Sequence, residues 1–248
     1  MIKDLLENRR SIRKYKQDKV DLALVKDLLK HAGRTSTCGN MQLYSVVLTD
    51  DKTVLEKLAP AHFCQPASTS APMIVTFCAD YNRFSKWCKL SGAEPGYDNF
   101  ESFISAAVDT IALAQTFSML AEESGLGICY LGTTTYNPEL VADALELPEL
   151  VVPLVSLSVG YPDENPALTD RIESDGWIHE NAYKDYSNSD IHRIFDYKDE
   201  LDENKKFVAE NGKRNIAQVF TDIRYTKQAN EEFSTKLIDF LKRQNFLD

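Results

Sequence analysis

Apolar residues recur through VDLALVKDLLKHAG, residues 20–33, at Val20, Leu22, Leu24, Val25, Leu28 and Leu29. That spacing predicts a helix, with Gly33 placed as its C-cap. A polar loop, TSTCGNMQ, follows. Two β-rich runs come next, YSVVLTD at 44–50 and PMIVTFCAD at 72–80, with a short helical stretch around DKTVLEKLA between them. The longest helical pattern covers 98–124. There Phe100, Phe103, Ile104, Ala107, Val108, Ile111, Ala114, Phe117 and Ala121 repeat at three- and four-residue steps, while Leu113 and Leu120 lie outside the stripe. Apolar on more than one face, this helix is expected to be buried between layers or subunits. Gly125 and Gly127 end it. GICYLG at 127–132 predicts a short strand, 137–146 a helix capped by Asn137-Pro138, and VVPLVSLSVGYP at 151–162 a buried strand ending in a turn.

From Asp163 onward charge and asparagine rise and apolar runs shorten. Residues 190–214 read as helical but polar, and the tail EEFSTKLIDFLKRQNFLD is amphipathic through Phe233, Leu237, Ile238, Phe240 and Leu241. No repeat and no Gly-, Pro- or Ser-rich linker divides the chain. Strands and helices alternate only in part, which favours α+β over a regular βαβ repeat.

The 248 residues are 43% hydrophobic and carry a formal net charge of −10. That length and composition suit a globular chain with a substantial core. The acidic balance argues against nucleic acid or an anionic membrane as partner. Five cysteines, at positions 38, 64, 78, 88 and 129, form no C-x-x-C pair, as expected of reduced thiols in a cytoplasmic protein. The N-terminus, MIKDLLENRR, has no apolar signal core, and no uninterrupted apolar run is long enough to span a bilayer.

Against that acidic background RRSIRKY, Arg9 to Tyr15, concentrates three arginines and a lysine around one serine. Guanidinium groups beside a hydroxyl suit a phosphate. Arg9, Arg10 and Arg13 cannot share one face of a helix, whereas in an extended segment Arg9, Ser11 and Arg13 fall on one side. A solvated basic terminus is the plainer alternative. The loop RTSTCGNMQ offers hydroxyls and amides that match ring heteroatoms, although polar loops of this kind are common. In GLGICYLG, Gly132 lets a ligand approach the backbone, and a plain buried strand explains the same letters. Arg171 stands alone in a turn.

In order and spacing these pieces resemble the nitroreductase family of flavin enzymes, and within it the larger NADPH-preferring, oxygen-insensitive nitroreductases and flavin reductases. RRSIRKY resembles the family's opening Arg-Ser-Ile-Arg signature, and RTSTCGNMQ its Ser-rich loop ending in glutamine. FCADYNR, GLGICYLG and LELPELVVPLVSLSVGYPDENP also have equivalents there. The resemblance implies a three-layer α+β fold with a mixed, mainly antiparallel sheet, a helical C-terminal extension and an obligate homodimer. Residues 1–165 would form the FMN-binding core and 166–248 the extension. FMN would be held by Arg9, Arg10, Ser11 and Arg13, by Ser36 and Thr37, by Gln65, and by Tyr130, Leu131, Gly132 and Thr133, with Gly132 N–H facing flavin N5 and Arg171 adding a phosphate contact. Lys213 and Arg214, with Arg224 behind them, are candidates for the phosphate of NADPH, with NADH the other possible donor.

The implied reaction is a ping-pong, two-electron reduction of nitroaromatics, quinones or flavins. A non-turnover flavin sensor or store, or a dehalogenase or dehydrogenase on the same scaffold, are the alternatives. His62 is a candidate proton donor beside Gln65, though water suffices. Three departures from the pattern stand out. Thr169-Asp170-Arg171 replaces a Lys-x-Arg, Cys38 and Gly39 replace serines, and Thr133 replaces a second glycine.

Overall fold

In the computed structural model, which describes residues 2–248, the sheet has the strand order β1-β2-β4-β3. The strands are β1 (Tyr44–Thr49), β2 (Met73–Asp80), β3 (Gly127–Leu131) and β4 (Val151–Gly160). Every pairing is antiparallel, where a mixed sheet was expected. The cause is β4, which lies between β2 and β3 and runs against both, so those two parallel strands never pair. The β2–β4 ladder slips at Phe77/Cys78, skipping Leu154 beside Pro153. Proline has no amide proton to give a ladder, and bulges are where sheets tolerate it.

Seven helices accompany these strands: α1 (Ile2–Asn8), α2 (Leu22–Ala32), α3 (Lys52–Leu58), α4 (Pro66–Thr69), α5 (Asn82–Leu90), α6 (Phe100–Glu123) and α7 (Pro138–Ala144). The hydrophobic pattern did not predict α1 or α5, which bury little: α1 has no buried residue and α5 buries only Ser85 and Cys88. Asp21 caps α2 through Ala23 N, and Asn99 caps α6 through Ser102 N. Asn137 does not cap α7; its amide instead donates to Ala61 O at 3.1 Å, so this N-terminus is set by Pro138 alone.

Helix α6 packs on the sheet with Leu113, Ala114, Phe117 and Ala121 against Met73, Val75, Phe77 and Leu157. The stripe read from its sequence mixes two faces. Leu113 is buried, whereas Ile104, Val108 and Ile111 are 43%, 63% and 52% exposed. The buried face contains Thr110 and Ser118, which return their hydroxyl protons to the carbonyls of Ala106 and Ala114, and so it looks polar in the sequence. By length and composition α6 is apolar enough to cross a membrane, and half of that window is buried in the fold.

The chain forms two compact units, one running to Leu168 and including Phe233–Asp248, the other Thr169–Glu232. The polar stretch read as helical forms α8 (Asn188–Phe195), α9 (Tyr197–Glu200) and α10 (Asp202–Glu210), followed by α11 (Ile216–Val219). Helix α12 spans Lys227–Arg243. Its Phe240 and Leu241 pack with Phe246, Leu43 and Phe103 in the first unit.

The arginine segment is fixed to the sheet by close approach. Ile12 is buried, and its N–H donates to Ile128 O at 3.0 Å. A Cβ on Gly127 would stand 2.8 Å from Ile12 Cβ. Gly127→Ala is therefore expected to lower stability by about 1–3 kcal/mol in urea unfolding. In the same experiment Ile12→Ala should cost less in the Gly127→Ala background than alone, because the two share one contact.

Candidate active site

Of the basic segment, two arginines are engaged by the chain itself. Arg9 forms an ion pair with Glu122, NH2 to Oε1 at 3.2 Å. Burial pushes the Glu122 carboxyl up, and Arg9 opposes the shift. Arg10 donates to Pro166 O and Asn8 O, both at 2.7 Å. Ser11 and the Arg13 guanidinium have no hydrogen-bond partner among the described residues, although the Arg13 and Lys14 amides donate to Glu164 Oε1. With Ile12 turned inward, its neighbours Ser11 and Arg13 turn away from the core. Tyr15 anchors the end of the segment, its hydroxyl bonding Ile12 O and Ser158 Oγ.

Helix α4 joins this segment to the far end of β3. At its C-terminal end Ser70 Oγ donates to Arg13 O at 3.2 Å. At its N-terminal end Gln65 Nε2 reaches Thr133 Oγ1 at 3.4 Å. Only four residues separate these ends, roughly 6 Å of helix. Gly132 and Thr133 follow β3 in a turn closed by Thr134 N to Leu131 O and Tyr136 N to Thr133 O. Thr134 Oγ1 also accepts from Ser156 N at 3.0 Å, which ties the turn to β4. A Cβ on Gly132 would meet nothing within 4 Å, and the residue is exposed, so a ligand can approach this turn. Leu131 is buried, and the Tyr130 hydroxyl donates to Gln115 on α6.

Ser36 and Thr37 line a separate cavity of about 230 Å³ with Gly33, Arg34, Thr35, Asn40 and Gln42. This loop is held by one carboxylate: Asp109, 2% exposed on α6, accepts from Cys38 N at 2.8 Å and Leu43 N at 3.2 Å. Gly39, Asn40 and Gln42 all have positive φ, the first two being residue types that adopt it readily. Sequence reasoning missed Asp109, whose signal was an acid inside an apolar helix.

His62 was also underread. It is fully buried, its Nδ1 lies 2.9 Å from Thr133 Oγ1, and its Nε2 has no partner. Burial holds its pKa down at about 4, so it is a neutral imidazole at neutral pH and not an acid.

The remaining candidates lie in the second unit. Arg171 NH1 donates to Thr169 Oγ1 and Asp170 O, each at 2.8 Å. Lys213 pairs with Asp222 at 2.9 Å. The Arg214 guanidinium has no partner among the described residues, and Arg224 stacks 4.1 Å above the Phe207 ring.

The donors flanking α4 fit a long ligand with an anionic end and a flat, polar-edged ring. Arg13 and Ser11 suit the anion, while the open Gly132 peptide and the Thr133 and Gln65 groups suit the ring, as FMN requires. The nitroreductase family model matches residues 6–161, and the chain belongs to that family. It is 33% identical to an oxygen-insensitive NADPH nitroreductase of Salmonella typhimurium, over 73% of this chain and 74% of that protein. It is 28% identical to an FMN reductase (NADPH) of Bacillus subtilis, over 96% and 95%. The crystal structure of a candidate oxidoreductase from Bacteroides fragilis is 54% identical, with a TM-score of 0.97, covering 99% of this chain and 100% of that one.

Because His62 is ordinarily protonated near pH 6.5 but in the fold only near 4, the unfolded chain binds more protons between those values. Stability should therefore fall as pH drops from about 6.5 to 4, by about 3 kcal/mol for this group. Urea unfolding across that range should show the slope in the wild type, and His62→Asn should remove that contribution.

Proposed function

We propose that this chain is a homodimeric, FMN-dependent NAD(P)H oxidoreductase that reduces small aromatic acceptors, nitro compounds, quinones or flavins, by two electrons in two half-steps. The observation that carries the reading is the single short helix α4, which ties the backbone of Arg13, the residue whose guanidinium is left free, to the Gly132–Thr133 turn through Ser70 and Gln65. The family membership and the relatives' NADPH-linked activities support it.

Bound FMN supplies hydride acceptance from the nicotinamide and electron delivery to the acceptor. The protein's part is binding and orientation. Arg13 and Ser11 hold the phosphate, while Arg9 and Arg10 fix the segment through Glu122 and the carbonyls of Pro166 and Asn8. The Gly132 peptide, unencumbered by a side chain, donates to the ring. Ser36 and Thr37 serve the same cofactor from the loop that Asp109 holds. Of the nicotinamide-phosphate candidates Arg214 is the one with a free guanidinium, since Lys213 is already paired. Protons come from water, His62 being neutral and buried.

The second subunit covers α6. Phe100, Ile104, Val108 and Ile111 leave an apolar face open on the single chain, larger than isolated exposed side chains account for. Residues 1–165 act as the flavin-binding core and 166–248 as a C-terminal extension, whose Phe240 and Leu241 pack on that core and which reaches the partner. The protein works in the cytoplasm.

The purified protein should show flavin absorbance that bleaches on anaerobic addition of NADPH. A colourless protein that refuses added FMN would overturn the reading, and a coloured one that neither NADPH nor NADH bleaches would make it a sensor or store. Arg13→Ala should weaken FMN binding by about tenfold or more, the loss of a charge-assisted bond worth ~1.5–3 kcal/mol, in a fluorescence-quench titration. Val108→Lys should shift the dimer toward monomer by light scattering.

A further inference from the structure

Phe63 and Cys64 both have positive φ, 53° and 50°, and neither is glycine. Backbone of this kind costs about 1–3 kcal/mol per residue and persists where surrounding contacts demand it. Here the tight turn brings two side chains three residues apart onto one atom. His62 Nδ1 and Gln65 Nε2 both reach Thr133 Oγ1, at 2.9 and 3.4 Å.

The protons can be assigned from this network. A hydroxyl has two acceptor lone pairs and one proton, and an amide NH2 only donates. If Thr133 gave its proton to Nδ1, the neutral ring would carry its own proton on Nε2, buried and without an acceptor. A buried N–H without a partner is the rarer and costlier orphan. The Nδ1–H tautomer leaves only a bare lone pair at Nε2. His62 and Gln65 then both donate, and both lone pairs of Oγ1 are taken. The hydroxyl proton remains, and it finds no acceptor among the described residues. Beside it Gly132 is exposed, with open space where a side chain would stand.

We propose that His62 is a positioning residue which, with Gln65, holds the Thr133 hydroxyl as a hydrogen-bond donor to the bound flavin ring. The inference rests on the FMN reading above. Two donors onto one oxygen polarise its O–H and orient it outward. Such a fixed donor favours the more electron-rich, reduced form of a ring it touches. The threonine in place of a glycine is thereby given a use, and so is the strain at Phe63 and Cys64.

The test measures the two-electron midpoint potential of the flavin in the holoprotein, with the dissociation constant of oxidised FMN beside it. Thr133→Val and His62→Leu are each expected to weaken reduced FMN relative to oxidised FMN about tenfold, a fall of about 30 mV. The double variant should fall no further, because both remove one donor. Thr133→Ser, which keeps the hydroxyl, and His62→Asn, whose amide takes the place of Nδ1–H, should restore the potential. Thr133→Val at the wild-type potential, or two falls that add in the double variant, would overturn the inference. Should His62→Leu not fold, Thr133→Val and His62→Asn decide alone. A wild-type chain that takes up no FMN overturns the proposed function itself. One that binds FMN while Thr133→Val leaves its potential unmoved overturns the Thr133 donor, and with it the positioning role of His62, but leaves the proposed function standing.

Discussion

A carboxylate inside a helix–sheet interface is costly unless its oxygens are satisfied, and Asp109 satisfies both with backbone amides of another segment. Cys38 N and Leu43 N lie at either end of a loop with three left-handed residues. Without that acceptor the Leu43 amide would be left unpaired in the interior, and the Cys38 end of the loop would lose its tie to α6. The constraint runs both ways: α6 must present Asp109 to this loop, so its register against the sheet is fixed. That register in turn sets which apolar residues face Phe77 and Val75 and which remain outside. The half-exposed row of Ile104, Val108 and Ile111 is thus a consequence of where the acid must point.

The same economy governs the other side of the sheet. Helix α4 is four residues long and could not fold alone. It is held because each end is used, Ser70 on the Arg13 carbonyl and Gln65 on Thr133. Ile12 against Gly127 and Tyr15 on Ser158 keep the arginine segment close enough for that contact. The arginine segment and the Gly132–Thr133 turn are therefore positioned by one chain of contacts and not by independent loops.

Much of this was legible beforehand. The strands at 44–49, 73–80, 127–131 and 151–160 and the helices α2 and α6 follow from periodicity, because each buries a face. Helices α1 and α5 escaped because they bury almost nothing. The faces of α6 were misassigned because Thr110 and Ser118 satisfy themselves within the helix and sit in the core as small residues do. Motif order led to the arginines, Gln65 and the glycine turn. It could not separate Arg9, spent on Glu122, from Arg13, which is free, since that depends on a residue 113 positions away. His62 was read as a loop histidine that could donate a proton, and its burial, which keeps it neutral, arises only from long-range packing.

The acidic residue at 170, which seemed to set a negative charge where a phosphate contact is expected, is resolved within its own unit. Asp170 Oδ2 accepts from Lys198 Nζ at 2.5 Å and from the Tyr197 hydroxyl at 2.7 Å. The Lys198 bond, ahead of that from Tyr197, holds the carboxyl below its usual range, so it stays ionised and paired. Its charge is cancelled by a lysine 28 residues on, which no local motif contains. Arg171 is left as the uncompensated charge of that turn. A residue that looks, in sequence, like the reversal of a basic site is thus paired within its own unit, because charge is a property of the assembled cluster and not of one position.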